Sequence, residues 1–233
     1  MIPILRQSDT RFPPAENALC EPNGLLAMGG DLSPERILSA YRQGIFPWFS
    51  PGDPILWWSP DPRMVLYPSE FKVSRSLAKN LRNRSFEVRF DTVFGEVIDA
   101  CAAPRGEQPG TWITPAMRAA YMELHRLGYA HSVETWMDGS LAGGLYGVAL
   151  GNMFFGESMF TRIRDASKIA LATMIERFLR DDVALIDCQF HTEHLQSLGA
   201  RAVSRAEFLR QVRELVHNSS SLETWTNNHV RHY

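Results

Sequence analysis

The stretch Asp138–Phe160, DGSLAGGLYGVALGNMFFGESMF, decides the fold of this chain. Asp138-Gly139 and Gly151-Asn152 are turn signals, and the apolar residues after each of them predict strands near 140–149 and 152–160. An 18-residue segment within this stretch carries no charge, but six of its residues are glycines, which favours a hairpin over a membrane-spanning helix. The sequence therefore predicts an antiparallel hairpin at the centre of the molecule.

Strand and helix signals around this hairpin predict a mixed α/β fold of the α+β class. Ala130–Trp136 alternates like a strand, Ala166–Arg180 has the spacing of an amphipathic helix, and Val183–Phe190 is apolar like a buried strand. The polar residues 218–233 are expected to form a loose tail. The other predicted elements are helices near 34–43, 74–84, 114–128 and 204–216.

The segment Gly44–Arg63 predicts a boundary between two domains. Its 20 residues include five prolines and three tryptophans, a composition that excludes a regular helix or a central strand. We interpret it as an ordered, aromatic loop. A small N-terminal α/β domain over 1–62 and a larger domain over 63–233 are the expected organisation.

Composition and charge exclude several classes of protein. The 233 residues are 45% hydrophobic and 21% charged, which is ordinary for a globular chain and excludes disordered and fibrous classes. Three widely spaced cysteines argue against a disulfide framework and for a reducing compartment. Because the N-terminus has no apolar signal segment, we expect a cytoplasmic protein that does not associate with membranes.

A basic cluster interrupts the otherwise balanced charge. No acidic residue lies between Glu70 and Glu87, and a helix places Arg75, Lys79 and Arg82 on one face. One interpretation is a solvated helix face. The other is contact with nucleic-acid phosphates, which favours cations of a single sign. The cluster consists of Lys72, Arg75, Lys79, Arg82 and Arg84.

Two tryptophans lie in irregular segments, where an aromatic ring can serve as a stacking platform for a base. Trp48 belongs to the proline-rich loop, and Trp112 follows Pro109-Gly110-Thr111. Core packing is the alternative for both. It is the preferred interpretation for Trp57 and Trp136.

Glu157 is a carboxylate in an apolar, glycine-flanked strand, and such a group is seldom buried without a partner. A structural salt bridge to Arg162 or Arg164 is one explanation. A carboxylate that faces a cationic substrate is the other.

Asp187 and Gln189 end the buried strand, and regular alternation would place both side chains on one face of it. Cys188 would then face away from them, which disfavours a nucleophilic role for this thiol. A zinc site is another interpretation of this segment, with Cys188, His191 and His194 as ligands, but no fourth ligand is evident. We therefore expect no metal.

Seven blocks, in order along nearly the whole chain, resemble the leucyl/phenylalanyl-tRNA–protein transferase family. They are long and unusual in composition, so chance is a poor explanation. The blocks are EPNGLLAMGGDLSP at 21–34, GIFPWFSPG at 44–52, WWSPDPR at 57–63, GTWIT at 110–114, FGESMF at 155–160, ASK at 166–168 and LIDCQ at 185–189.

The resemblance implies a small N-terminal domain and a C-terminal domain with the GNAT acyltransferase fold. It implies transfer of Leu or Phe, and less well Met, from aminoacyl-tRNA to proteins that begin with Arg or Lys, which creates a bacterial N-degron. A monomeric enzyme without cofactors is expected.

The resemblance also implies roles for individual residues. Glu157, Asp187 and Gln189 would form the reaction centre, and Trp48 and Trp112 would hold the 3′-terminal adenosine. With tRNA as the substrate, the one-sign charge of the basic cluster predicts that it binds the tRNA. The pocket for the transferred side chain would consist of Leu145, Phe154, Ser158, Met159, Met174 and Ile186.

Two departures from the family pattern concern the rim of this site. The loop 101–110 is about two residues longer than in familiar members, and His191 stands where Asn is expected. Preferences for the acceptor peptide are therefore harder to predict than the reaction.

The implied chemistry needs no strong base. The donor is an activated ester, and an α-amine with a pKa of about 7.7–8.0 is partly neutral near pH 7.4. Positioning and one proton acceptor suffice. In one arrangement the Gln189 amide oxygen accepts a hydrogen bond from the amine, and Asp187 orients Gln189. In the other, Asp187 itself is the base.

Two other functions remain open at this point. A coenzyme-A-dependent N-acyltransferase would need a pyrophosphate-binding loop, [QR]-x-x-G-x-[GA], which is not found in the sequence. A non-catalytic RNA-binding module would explain the basic cluster and the tryptophans, but it would leave Glu157, Asp187 and Gln189 without a role.

Overall fold

The computed structural model describes residues 2–104, 111–218, Trp225 and the backbone of 231–232. The described residues form a four-stranded sheet and an eight-stranded sheet. The predicted α+β class is confirmed.

The small sheet is built from the N-terminal part of the chain. Its strands are β1 (Ile4–Leu5), β2 (Leu25–Gly29), β3 (Phe46–Pro47) and β4 (Leu56–Trp58), in the order β1-β2-β4-β3. The first helix, α1 (Pro34–Tyr41), connects β2 to β3.

The prediction that no central strand lies in the proline-rich segment was wrong, because β4 pairs with both β2 and β3. The prolines lie outside these three residues, so each residue of β4 keeps its backbone donor. Pro47 is tolerated because β3 lies at the edge of the sheet. Trp57 is fully buried, as predicted for a core residue.

The large sheet has the order β11-β5-β10-β9-β8-β7-β6-β12. Within its described strands every pairing is antiparallel except that of β9 with β10. Its strands are β5 (Arg63–Leu66), β6 (Glu87–Phe90), β7 (Ala130–Met137), β8 (Ser140–Leu150), β9 (Met153–Thr161), β10 (Leu185–Gln189), β11 (Arg201–Val203) and β12 (Arg231–His232).

The remaining α-helices connect these strands. α5 links the parallel pair β9 and β10, as a crossover connection must. The helices are α2 (Arg75–Asn83), α3 (Phe94–Ala102), α4 (Pro115–Arg126), α5 (Ala166–Arg180), α6 (Glu193–Ser197) and α7 (Arg205–Leu215). Of these, α2, α4, α5 and α7 lie where helices were predicted, whereas α3 and α6 were not predicted.

The predicted hairpin is confirmed as β8 and β9, at the centre of the large sheet. Gly147 is required here, because a Cβ atom at this position would lie 2.3 Å from the carbonyl oxygen of Phe155. The close approach of the two hairpin strands at this point therefore requires glycine at position 147.

Buried apolar side chains connect the two sheets. One continuous cluster extends from Trp57 and Tyr41 in the N-terminal part to Tyr121, Tyr146 and Phe155 in the large-sheet part. The two parts therefore share a core, and the domain boundary between residues 62 and 63 stays a prediction.

The prediction of a loose tail was wrong for part of residues 218–233. Trp225 is only 1% exposed, and its ring stacks on His131 and packs against Phe154 and Phe178. Arg231–His232 pairs with β6. A single tryptophan in a polar segment has no periodicity, so the pattern could not indicate its burial.

Among the described helices, none combines the length and the apolar character needed to cross a membrane.

Candidate active site

A cavity of about 440 Å³ opens where the parallel strands β9 and β10 separate. Their ladder pairs Met153–Phe155 with Leu185–Asp187 and ends there. Beyond it, residues 156–159 of β9 and 187–189 of β10 line the two sides of the cavity. The site thus occupies a gap that the sheet itself creates.

A β-bulge directs Glu157 into this gap. In the ladder of β8 with β9, Tyr146 pairs with Ser158 and Gly147 pairs with Gly156, so Glu157 has no partner across the strand. Bulges interrupt the alternation of a strand and commonly re-aim a side chain beside an active site.

Two tyrosines hold the Glu157 carboxyl group. The Tyr41 hydroxyl of α1 lies 2.6 Å from Oε1, and the Tyr121 hydroxyl of α4 lies 2.8 Å from Oε2, both at hydrogen-bond distance. Although the cavity leaves Glu157 half-exposed, desolvation by the surrounding protein raises the pKa of its carboxyl group to about 7. The predicted alternative of a salt bridge to Arg162 or Arg164 is wrong, since no ion pair in the described part of the chain includes Glu157.

Asp187 forms a buried ion pair that the sequence did not predict. Its two oxygens accept hydrogen bonds from Nε and Nη2 of Arg63, at 2.8 and 2.7 Å, and both side chains are 0% exposed. Nη1 of Arg63 donates to the carbonyl of Gly44 at 3.2 Å, and the guanidinium lies between the rings of Phe46 and Phe208. Arg63 ends the motif WWSPDPR, but no sequence signal identifies its partner, which lies more than a hundred residues away.

Gln189 departs from regular strand geometry. Its φ is +56°, a left-handed conformation uncommon for a residue other than glycine, and the ladder with β5 shifts register between Asp187 and Gln189. The backbone N–H of Gln189 donates to Oδ1 of Asp187 at 3.0 Å, and the side-chain Nε2 of Gln189 donates to Oε1 of Glu157 at 3.3 Å.

The three polar residues of the predicted reaction centre therefore lie together, but not through the regular alternation that was used to predict it. The same irregularity places Cys188 on the cavity wall, so the prediction that it faces away was wrong. Desolvation raises the pKa of the Cys188 thiol far above its ordinary range, which keeps it protonated.

All six residues predicted for the side-chain pocket line this cavity, together with Trp112. The wall also contains residues that were not predicted for the pocket. Four of them come from segments without a polar or motif signal: Leu66, Tyr146, Leu171 and Leu195. The other two, Thr192 and His194, follow Gln189 in a polar segment, where His194 was considered only as a zinc ligand.

Trp48 lies apart from the cavity wall. Its ring is 43% exposed and packs against Trp58 and Phe190, at centroid distances of 5.6 and 5.4 Å.

Among the described residues, no group of three or more His, Cys, Asp and Glu side chains could hold a metal ion. His191 is exposed, with Nε2 3.3 Å from Oε1 of Gln196, and the predicted insertion at 101–110 lies largely outside the described residues.

The basic cluster is solvent-exposed throughout, on α2 and the residues that flank it. A second cleft of about 790 Å³ lies beside α2 and contains Arg162, Arg164 and Lys168. It shares Met159 and His194 with the first cavity. The cleft also contains Asp165, which pairs with Lys168 and Arg164, so three cations and one carboxylate lie between α2 and the candidate site.

Comparison with known proteins identifies one family. Residues 65–213 match the family described as leucyl/phenylalanyl-tRNA protein transferase, and residues 30–61 match the N-terminal domain described for it. A transferase of that name from Chromobacterium violaceum is 60% identical over 232 residues, which cover 100% of this chain and 99% of the relative. One from Nitrosomonas europaea is 62% identical over 208 residues, 89% of this chain and 88% of the relative.

We expect Arg63→Met to destabilise the protein by about 3–5 kcal/mol, because it leaves Asp187 buried without a counter-ion. Denaturant unfolding followed by circular dichroism measures this loss. The matched control is Arg118→Met, which removes a bidentate pair with Asp99 that is 41% and 55% exposed. Exposed pairs contribute about 0–1 kcal/mol, so equal losses in the two variants would contradict a special role for the Arg63–Asp187 pair.

Proposed function

This chain belongs to the leucyl/phenylalanyl-tRNA–protein transferase family, whose members are aminoacyltransferases, and we propose that it transfers Leu or Phe, and less well Met, from aminoacyl-tRNA to proteins that begin with Arg or Lys. The product would carry a destabilising N-terminal residue and enter the bacterial N-degron pathway. The observation that carries the proposal is the polar group Glu157, Asp187 and Gln189 at one side of an apolar cavity.

The cavity suits an apolar aminoacyl side chain. Its volume is about 440 Å³, and much of its wall consists of Leu, Ile, Met and Phe side chains. Apolar pockets discriminate one methylene by only about 1–3 kcal/mol. Overlapping use of Leu, Phe and Met follows from this limit.

The reaction centre must accept one proton and position the amine. The attacking amine nitrogen forms the new C–N bond, the ester C–O bond breaks, and the 3′ oxygen of the tRNA leaves with a proton. We propose that the amine donates a hydrogen bond to the side-chain amide oxygen of Gln189. The hydrogen bond from the backbone N–H of Gln189 to Asp187 helps to orient this residue.

The ion pair favours this assignment over Asp187 as the base. Both carboxylate oxygens of Asp187 already accept hydrogen bonds from Arg63, and the side chain is fully buried. A proton on Asp187 would leave the buried guanidinium without its counter-charge. Asp187 therefore acts as a positioning residue in this proposal.

Trp112 and, from outside the cavity wall, Trp48 would hold the 3′-terminal adenosine. Trp112 is half-buried and contributes to the wall, whereas Trp48 presents an exposed ring. Stacking of a base on such a ring contributes roughly 1–3 kcal/mol. A monomeric enzyme is part of this proposal.

The basic cluster would bind the phosphates of the tRNA. Its five cations are exposed, and the cations of the adjacent cleft continue toward the cavity. Phosphate contacts of this kind position a nucleic acid without reading its sequence.

The test of the proposed function is transfer of radiolabelled Leu from charged tRNA to an Arg-initiated peptide, with an otherwise identical Ala-initiated peptide as control. We expect labelling of the Arg-initiated peptide alone. Labelling only from an acyl-coenzyme A donor would instead identify an N-acyltransferase. Binding of tRNA without labelling would identify an RNA-binding module.

We expect Gln189→Ala to lower turnover by about 100-fold or more, because the attacking amine loses the hydrogen-bond acceptor that positions it. The KM for aminoacyl-tRNA should change little, since Gln189 contributes nothing to the tRNA interface in this proposal. Steady-state transfer kinetics measure both quantities. Gln196→Ala removes an exposed amide outside the cavity and serves as the control. Near-normal turnover of the Gln189→Ala variant would remove this residue from the mechanism.

We expect replacement of Arg75, Lys79 and Arg82 by Ala to weaken tRNA binding and to flatten the slope of log K against log[salt] by about 2–3 units. The three exposed arginines Arg126, Arg210 and Arg213 give a control variant of equal charge change. Transfer from aminoacyl-adenosine, which has no stem, should be nearly unchanged. Equal losses with both donors would mean that the helix supports the active site, and no loss with either would assign the cluster to a solvated face.

A further inference from the structure

Tyr41, Tyr121 and Glu157 contact one another in a closed triangle. The two hydroxyl oxygens lie 2.6 Å apart, Tyr41 lies 2.6 Å from Oε1 of Glu157, and Tyr121 lies 2.8 Å from Oε2. Each of these separations is that of a hydrogen bond between oxygens, and each such bond requires one proton.

The number of available protons determines the charge of Glu157. Each tyrosine hydroxyl supplies one proton, so the two tyrosines can fill only two of the three contacts. With an ionised Glu157, one pair of oxygens would face each other at 2.6–2.8 Å without a proton. A proton on Glu157 fills the third contact and closes the ring.

We propose that Tyr41, Tyr121 and Glu157 form a ring of three hydrogen bonds in the empty enzyme, with a proton on Glu157, and that a cationic acceptor terminus opens this ring and expels that proton. The second part rests on the proposed function. In this step the O–H bond of the carboxyl group breaks, the proton passes to solvent, and the carboxylate pairs with the ammonium or guanidinium of the acceptor.

The surroundings of Glu157 favour its neutral form. The pKa of Glu157 is raised to about 7, because desolvation, aided by the charge of Asp187, outweighs the tyrosine hydrogen bonds and Arg63, which lower it. Desolvation also raises the pKa values of Tyr41 and Tyr121, so neither hydroxyl can supply the missing charge. The titratable and charged groups around Glu157 come from α1, β5, α4, β8 and β10, and they are Tyr41, Arg63, Tyr121, Tyr146 and Asp187.

The ion pair leaves Glu157 as the group that can change charge at this side of the cavity. Arg63 and Asp187 neutralise each other, so a protonated Glu157 makes the reaction centre neutral overall. A neutral centre suits an empty apolar cavity. An ionised Glu157 would supply the counter-charge that an N-terminal Arg or Lys needs once it is desolvated.

Carboxyl-¹³C NMR of the empty enzyme at pH 6 tests the ring, with Glu157→Gln to identify the signal. We expect a protonated carboxyl group and three downfield hydroxyl protons. Tyr41→Phe or Tyr121→Phe should reduce the three protons to one, because a single contact remains between the two residues left. An ionised Glu157 at pH 6, or three downfield protons in either variant, would overturn the ring.

The pH dependence of the acceptor KM tests the expelled proton. Below pH 7 the KM of the wild-type enzyme for an Arg-initiated peptide should rise relative to that of Glu157→Gln, by about tenfold for each pH unit, because one proton competes with the acceptor. The α-amine of the peptide titrates equally with both enzymes, so its titration cancels in the ratio of the wild-type KM to the Glu157→Gln KM. A ratio that does not depend on pH would overturn the coupling. An enzyme that shows the ring but no transfer would contradict the proposed function and leave the ring intact.

Discussion

The buried ion pair of Arg63 and Asp187 is the constraint on which the site depends. It joins β5 to β10, contacts the carbonyl of Gly44 and lies between the rings of Phe46 and Phe208. Two charges without access to water are tolerated only when each satisfies the other and their remaining donors are bonded. The pair therefore fixes the end of β10 against the neighbouring strand, and the N–H of Gln189 is directed to the same carboxylate.

The cavity follows from how the large sheet ends the parallel pairing of β9 with β10. β9 and β10 remain paired for three residues and then separate, and each strand is irregular at the position where it borders the gap. A bulge at Glu157 and a left-handed Gln189 turn polar side chains toward an opening with largely apolar walls. Such local irregularities persist only where the surrounding structure holds them in place, and functional sites are where they concentrate.

The N-terminal part contributes to the chemistry as well as to the core. Tyr41 lies at the end of α1, yet its hydroxyl reaches Glu157 of β9 and Tyr121 of α4. The site therefore depends on the packing of the small sheet and its helix against the large one. This packing accounts for a continuous apolar cluster that crosses the predicted boundary between the two parts.

The sequence alone determined the central hairpin, the helices α2, α4, α5 and α7 of the large-sheet part, the exposed basic face and, with the motif blocks, part of the set of side chains that surrounds the cavity. These features depend on local periodicity, on turn residues and on residue types in a fixed order, all of which are written along the chain. Only the tertiary structure decided that Arg63 neutralises Asp187, that two tyrosines hold Glu157, that Trp225 is buried and that Cys188 borders the cavity. Each of these depends on a contact between residues distant in sequence or on a bulge that breaks the alternation of a strand, and a one-dimensional pattern encodes neither.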